Sequence, residues 1–321
     1  MFDLGRAVSG TVHFTPDGEL GLVAQEDGTI GVFRVTADGD IEVIEAAFVM
    51  TEGAASDLVI TPDGQRVYVV SAGWRNVGGG IFALRINCDG HLVEEGLVIP
   101  SKLPGAMAFL PGRDDVVVLS AVDALTAADG VTPLSKPGDD LHLISCPSNP
   151  TLLAGADLFP DDEAFVTDLA ITPDGRWVMV SENNEFNPKQ RLAVARLSGA
   201  SLTRDQVLEP LDPLSIVFSP FGNGGLVTSG YGDAVLRLAY DSAVEASPFF
   251  LVGPFTYVGQ APQLPADAVV IERGVQRGLV LVSELSGVRA MRFTETSAAD
   301  IGLFSLGGGV DQIVGAIGVQ P

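Results

Sequence analysis

Asp57-Leu58-Val59-Ile60-Thr61-Pro62-Asp63-Gly64, followed closely by Arg66-Val67-Tyr68-Val69-Val70-Ser71, decides the fold of this chain. Pro62 presets φ for the first central position of a turn, Asp63 accepts hydrogen bonds from the turn backbone, and Gly64 tolerates a positive φ. The apolar runs on both sides are typical of β-strands. The stretch therefore predicts a strand, a tight turn and a second strand.

The same turn recurs along the chain. Two further copies are nearly identical, Thr15-Pro16-Asp17-Gly18 and Thr172-Pro173-Asp174-Gly175, and weaker copies surround Pro111 and Pro220. Two more short strands follow each turn, so that one unit holds strands a, b, c and d. Units of four short strands that repeat every forty to fifty residues are typical of β-propeller blades.

We predict an all-β fold: a single β-propeller domain over residues 1–321, with six four-stranded antiparallel blades. The sixth unit is degenerate, because Glu272-Arg273-Gly274-Val275-Gln276-Arg277 replaces the usual turn. Seven blades are the alternative, if the terminal pieces 2–5, 301–306 and 311–317 add up to one more blade. Pairing of the two termini in one blade would leave no exposed sheet edge.

The composition limits the classes of partner. The 321 residues are 46% hydrophobic and 18% charged, with a net charge of −23. Such a surface repels phosphate backbones, which argues against nucleic acid, and it favours cations or basic partners. No apolar run is long enough for a membrane span. The two cysteines, Cys88 and Cys146, fall at equivalent points of neighbouring units, too far apart for a disulfide, and are predicted to be free thiols.

The beginning of the chain, Met1-Phe2-Asp3-Leu4-Gly5, lacks the basic and apolar blocks of a signal peptide. Because Met1 lies only a few residues before the first repeat, removal of a leader is one hypothesis for this start. We expect an extracytoplasmic protein, located in the periplasm, in the cell envelope or outside the cell, and a monomer.

The apolar strand, the Thr-Pro-Asp-Gly turn and the run Val67-Tyr68-Val69-Val70-Ser71 resemble the YVTN-repeat and lactonase-like β-propellers. The resemblance covers most of the chain and lies in turn and strand positions. It implies the propeller fold, and it points to functions that range from sugar-lactone hydrolysis to binding at the cell surface. Lactonases of the phosphogluconolactone type are expected to use His, Arg and Glu on one face. The three histidines depart from that pattern, since His13 and His142 fall in strands and His91 falls in a c–d turn.

Polar residues gather where propellers usually bind ligands, at the d–a and b–c loops around the channel mouth. We predict ligand contacts by carboxylates and an amide at these loops: Asp57, Asp168, Asp267, Glu182, Asn183 and Glu284. Within this set, Asp168, Glu182 and Asn183 come from one blade and are the predicted metal ligands, since Ca²⁺ takes six to eight oxygens. Some calcium-dependent six-bladed lactonases are similar in their use of Glu, Asn and Asp at a channel mouth. The alternative is that each Asp before strand a bonds the backbone of its own tight loop.

Two further features are candidates on the same face. Trp74 and Arg75 are suited to stacking a sugar or a peptide, or else the aromatic ring packs over a blade edge. The insertion 121–140 in the third unit is either a lid over a ligand or an ordinary long loop, and 124–129 could form one helical turn. By contrast, the serines that recur at the end of strand b are predicted to be structural.

Two functions follow from the sequence, and whether the protein is an enzyme stays open. The first is a binding or interaction scaffold that presents its channel mouth to a small molecule, a cation or a protein partner. The second is a metal-dependent, lactonase-type hydrolase, in which a divalent cation polarises the substrate and a Glu or Asp acts as base. A purely structural repeat module within a larger gene product is a third possibility.

Overall fold

A computed structural model describes residues 8–25, 27–44, 55–71, 79–101, 103–113, 115–121, 125–127, 129, 131–145, 149–160, 166–183, 190–253, 255–285, 287–305 and 317–320. These residues form 24 β-strands and no helix. The strands pair into six antiparallel sheets of four, each in the order a, b, c, d along the chain. The predicted six-bladed, all-β propeller is confirmed.

The chain divides into two compact units of three blades each, 1–163 with 318–321, and 164–317. The first unit holds blades 1 to 3, with four strands per blade. Strands β1 to β12 are Val8–Phe14, Leu20–Gln25, Ile30–Val35, Ile41–Ile44, Ala55–Ile60, Arg66–Ser71, Gly80–Ile86, Leu92–Pro100, Pro104–Phe109, Val116–Ala121, Leu141–Ser145 and Thr151–Ala156.

The second unit holds blades 4 to 6. Strands β13 to β24 are Val166–Ile171, Trp177–Asn183, Gln190–Ser198, Ser201–Leu208, Pro213–Phe218, Gly224–Ser229, Ala234–Tyr240, Phe249–Val252, Ala268–Val270, Leu279–Glu284, Gly287–Phe293 and Ala298–Ser305. The terminal pieces 2–5 and 311–316 of the seven-blade alternative lie outside the described residues.

The a–b turns form as the sequence predicts. In blade 2 the Thr61 hydroxyl donates to Asp63 Oδ1 at 2.5 Å and the Arg66 amide donates back to Thr61 Oγ1 at 3.0 Å. Gly64 has φ +69°, a conformation that favours glycine. The Thr15 and Thr172 turns repeat these bonds. The Thr-Pro-Asp-Gly repeat is therefore a self-contained turn.

Neighbouring blades within each unit bury their apolar faces against each other. Every residue of β2 and β18, which are b strands, is buried. The serines that end the b strands are buried as well, and Ser120 and Ser283 bond the backbone of the adjacent a strand. Their recurrence is structural, as predicted, and no nucleophile follows from it.

The described part of the insertion in blade 3 packs onto the core. Leu125 is fully buried in the cluster that joins blades 2 and 3, and its carbonyl accepts the Leu134 amide at 2.7 Å. Thr126 and Pro133 form an isolated β-bridge, so the described residues hold no helical turn at this point. The anchored portion is a packed loop.

Each blade has two distinct ends. The a–b and c–d turns lie at one end, called here the turn face. The b–c and d–a loops lie at the other, called the loop face, which carries the predicted ligand residues.

Candidate functional site

Two of the predicted acidic residues join neighbouring blades. Asp57 Oδ1 accepts the Leu58 amide at 2.8 Å, and its Oδ2 accepts the Met107 amide of blade 3 at 3.0 Å. Asp168 repeats the arrangement in the second unit. Its Oδ1 accepts the amide of the next residue at 2.7 Å, and its Oδ2 accepts the Ile216 amide of blade 5 at 2.6 Å. Both carboxylates are therefore inter-blade clamps.

Asp267 stands at the same place in blade 6. Its Oδ1 accepts the amide of Ala268 at 2.9 Å, and the Ser215 hydroxyl of blade 5 lies 3.5 Å away. The alternative drawn from the sequence, that each Asp bonds the backbone of its own loop, describes part of what the structure shows. The bonds to the neighbouring blade were not anticipated.

Glu182 forms a buried ion pair. It ends strand b of blade 4 and lies directly opposite Arg191 in strand c. The Arg191 Nε donates to Glu182 Oε2 at 2.5 Å, and both residues are buried. The other carboxylate oxygen, Oε1, is buried and has no hydrogen-bond partner in the described part of the chain. A buried acceptor without a donor is costly, so this atom can take a hydrogen bond from a ligand.

Asn183 points toward blade 5, where it meets a second carboxylate. Its Nδ2 donates to Asp212 Oδ1 at 2.5 Å, and Asp212 Oδ2 accepts the Tyr231 amide at 2.5 Å. Asp212 is 1% exposed and has φ +46°. Among the described residues, the buried Asn183 Oδ1 has no hydrogen-bond partner, while Tyr231 is 71% exposed. One carboxylate thus bonds the Asn183 side chain and the backbone of Tyr231.

The loop face of blade 5 is conformationally strained. Of the five non-glycine residues with positive φ in the described chain, three lie in its d–a and b–c loops, Asp212, Asp233 and Leu264. Asp233 Oδ1 accepts the Leu264 amide at 2.9 Å, which fixes one loop against the next. Strain of this kind persists only where the surroundings hold it, and it concentrates at functional sites.

Glu284 anchors a loop through Arg289, a fully buried side chain. The guanidinium bonds Glu284 through Nε, Asp300 Oδ2 through Nη1 at 2.8 Å, and the Gln260 carbonyl through Nη2 at 2.8 Å. Asp300 Oδ2 also accepts the Val258 amide at 2.6 Å. Burial lowers the pKa of Arg289, but the two carboxylates outweigh it and the pKa lies above its usual value. The cluster holds the long d–a loop between blades 5 and 6.

The donor set gives limited support to a divalent cation. Both Asp168 oxygens accept backbone amides, and Glu182 is already paired with a guanidinium, so the predicted triad offers two open oxygens, Glu182 Oε1 and Asn183 Oδ1. Successive strand residues point to opposite faces, so these two atoms diverge. In the described part of the chain no three His, Cys, Asp or Glu side chains gather as a metal site. Calcium binding stays a prediction.

Sequence reasoning missed four residues that build this face: Arg191, Arg289, Asp212 and Asp300. Arg289 was predicted only as a residue of strand c, and Arg191 was not considered, although each lies near the start of strand c and follows a Glu at the end of strand b or one residue before it. That spacing was the available signal. Trp74 and Arg75 lie outside the described residues.

Comparisons with known proteins establish the fold. No protein-family model matches the chain, and no curated protein matches it. Among solved structures, the periplasmic gluconolactonase of Pseudomonas aeruginosa is 15% identical, with TM-score 0.67 over 98% of this chain and 88% of that one. A Bacteroides fragilis protein, provisionally assigned as a 6-phosphogluconolactonase, is 14% identical, with TM-score 0.67 over 95% and 85%. A Desulfotomaculum acetoxidans protein of unknown function is 13% identical, with TM-score 0.62 over 99% and 89%. The chain shares its β-propeller fold with these three proteins.

Proposed function

We propose that the protein binds a small polyhydroxylated molecule at the loop face of blades 4 and 5. The observation that carries the proposal is the Asn183–Asp212–Tyr231 group: Asp212 bonds both Asn183, whose Oδ1 is buried and has no partner among the described residues, and the backbone amide of Tyr231, whose ring is exposed. Hydroxyl groups of such a ligand would donate to the open acceptor, and its C–H face would pack on the ring. Pockets that combine aromatic surface with a few fixed polar groups are typical of small-molecule sites.

The clamped loops support this proposal by reducing the entropic cost of binding. Asp233 and the Arg289 cluster hold the loops of blades 5 and 6 in place before a ligand arrives. Pre-organised sites lose less affinity to loop ordering than mobile ones. The net charge of −23 favours a neutral ligand or a cation over an anion.

Calorimetric titration with glucose, gluconate and glucono-1,5-lactone tests the proposal. Tyr231→Ala and Asn183→Ala should each weaken binding about five- to tenfold, which corresponds to the loss of one stacking contact or one hydrogen bond. Phe304→Ala is the matched control, because it removes an equally exposed ring from strand d of blade 6. Absence of binding by the unmodified protein would refute this ligand class.

Lactone hydrolysis at the loop face is the second candidate, supported by the similarity to the gluconolactonase fold. Water would attack the lactone carbonyl and give up a proton to a carboxylate, the ring C–O bond would break, and the leaving oxygen would take a proton to give the hydroxy acid. Glu182 is the candidate base, because its Oε1 is open. Glu182→Gln should abolish turnover and retain binding, whereas binding without turnover in the unmodified protein favours the first proposal.

A divalent cation remains part of the second candidate only. Thermal unfolding in EDTA and then in Ca²⁺, Mg²⁺ or Zn²⁺ tests it, since a ligand at a hundredfold excess over Kd raises stability by about 2.7 kcal/mol. An upward shift that Glu182→Ala removes would support the cation. We also propose an extracytoplasmic location, with the periplasmic neighbour as support. None of the described residues forms a helix of the length and apolar character that a membrane span requires.

A further inference from the structure

A cavity of about 270 Å³ opens at the turn face of blades 4 and 5, at the opposite end of these blades from the loop-face site. Four aromatic rings line it, those of Phe218, Phe221, Tyr240 and Phe249. The Tyr240 ring stacks on Phe249, with centroids 4.9 Å apart and planes inclined by 25°. The walls therefore present apolar, planar surfaces.

The equivalent place between blades 1 and 2 is closed. In blades 1 and 2, a Cβ on Gly64 would lie 3.2 Å from Pro16 of the neighbouring turn, so the two turns touch. In blades 4 and 5 the corresponding residues are Gly222 and Pro173, and a Cβ on Gly222 would meet nothing within 4 Å. Blades 4 and 5 therefore differ here from blades 1 and 2. Phe221 stands where the turns of blades 1, 2 and 4 have Asp17, Asp63 and Asp174.

The cavity has one polar group placed to orient a ligand. Tyr240 Oη accepts the Trp177 Nε1–H at 3.3 Å, which fixes the position of the oxygen. A phenol still has its own O–H to donate, so the Tyr240 hydroxyl can donate a hydrogen bond to an acceptor atom of a ligand in the cavity. A mainly apolar pocket with a fixed O–H donor selects apolar molecules that carry one acceptor.

We propose that this cavity binds a small neutral aromatic molecule with one hydrogen-bond acceptor. Cavities lined by apolar side chains take up small aromatic hydrocarbons. An anion is disfavoured by the acidic protein and by the Asp174 carboxylate in the cavity wall. A cation is disfavoured because the Arg277 guanidinium already lies 4.6 Å above the Phe221 ring. The site is independent of the proposed loop-face function.

Titration calorimetry of the full chain with p-cresol and toluene tests the proposal. Both probes should bind, and p-cresol should bind about fivefold more tightly, because its oxygen accepts from Tyr240. Tyr240→Phe should remove that difference and leave toluene binding within about twofold. Phe221→Ala should weaken both probes, whereas Phe250→Ala removes a neighbouring exposed ring that does not line the cavity and should change neither.

Three results would overturn the proposal: no heat of binding for either probe at millimolar concentration, equal weakening by Phe250→Ala and Phe221→Ala, or a p-cresol preference that survives in Tyr240→Phe. The second result would indicate adsorption to exposed apolar surface. If Phe221→Ala fails to fold, Tyr240→Phe still tests the proposal through the preference for p-cresol, because this variant retains the aromatic ring. Sugar binding at the loop face should persist in every cavity variant.

Discussion

The buried side chain of His142 predicts that the protein loses stability in acid. It lies in strand c of blade 3 with its side chain fully buried, and among the described residues neither ring nitrogen has a hydrogen-bond partner. Desolvation lowers its pKa to about 4 from 6.5, although the backbone of Asp139 opposes part of the shift. The folded protein therefore keeps the ring neutral at a pH where the unfolded chain takes up a proton.

The sign and size of the effect follow from linkage. Because the folded pKa is depressed, the stabilisation is complete above pH 6.5 and is lost as the pH falls toward 4. Between pH 7.5 and pH 5 this single group should lower the free energy of unfolding by about 2 kcal/mol. Replacing His142 with Leu should remove that loss. It should also be neutral or stabilising at pH 7.5, since a buried polar ring without partners is costly.

Urea unfolding at several pH values between 5 and 7.5, followed by circular dichroism, measures the effect. The comparison is the drop in unfolding free energy for the unmodified protein against that for His142→Leu, because other acidic groups contribute equally to both. His91→Leu, at an exposed turn position, is the control and should keep the full loss. If His142→Leu loses as much stability in acid as the unmodified protein, the buried-histidine reasoning is wrong.

Four further substitutions, two at the loop face and two in turns, are measured by urea unfolding. Arg289→Met leaves two buried carboxylates without their ion-pair partner and should lower the free energy of unfolding by about 3–5 kcal/mol. A decrease near zero would contradict the anchoring role. Asp168→Asn places an amide NH₂, a donor, opposite the donor N–H of Ile216. The substitution should lower the free energy of unfolding by about 1–3 kcal/mol. Gly39→Ala, with φ +82° and nothing within 4 Å, should cost about 1 kcal/mol from the backbone alone. Gly64→Ala should cost more, since its Cβ would also press on the neighbouring turn; equal costs would show that the contact is unimportant.

The fold was predictable because its signals are local. A turn such as 61–64 satisfies itself with its own hydroxyl and carboxylate, and the alternating or apolar runs beside it need no distant partner to be strands. Six repeats of such a unit then fix the blade count, apart from the terminal pieces. Nothing in that argument depends on which residues meet across blades.

The site was harder because its chemistry depends on partners. Glu182 and Glu284 look like open acids in the sequence, but each is paired with an arginine of strand c. Asp168 looks like a metal ligand, yet its second oxygen bonds a residue 48 positions further along the chain. The sequence predicts which carboxylates lie at the loop face. Whether they are free to bind a ligand or a metal depends on neighbours that only the tertiary structure brings together.

The departures from the repeat are the most informative positions on this molecule. A residue found at the same place in several blades, such as the Thr or Asp of the a–b turn, serves what the blades share, which is folding. Function must differ from blade to blade unless the ligand has the symmetry of the protein. Asp212 breaks the repeat at the loop face with a strained backbone beside Tyr231, and Phe221 breaks it at the turn face beside an open cavity. Both proposed sites fall in blades 4 and 5 because these departures lie there. Phe221→Asp restores the residue of the repeated turn, and it should abolish toluene binding and leave the turn intact.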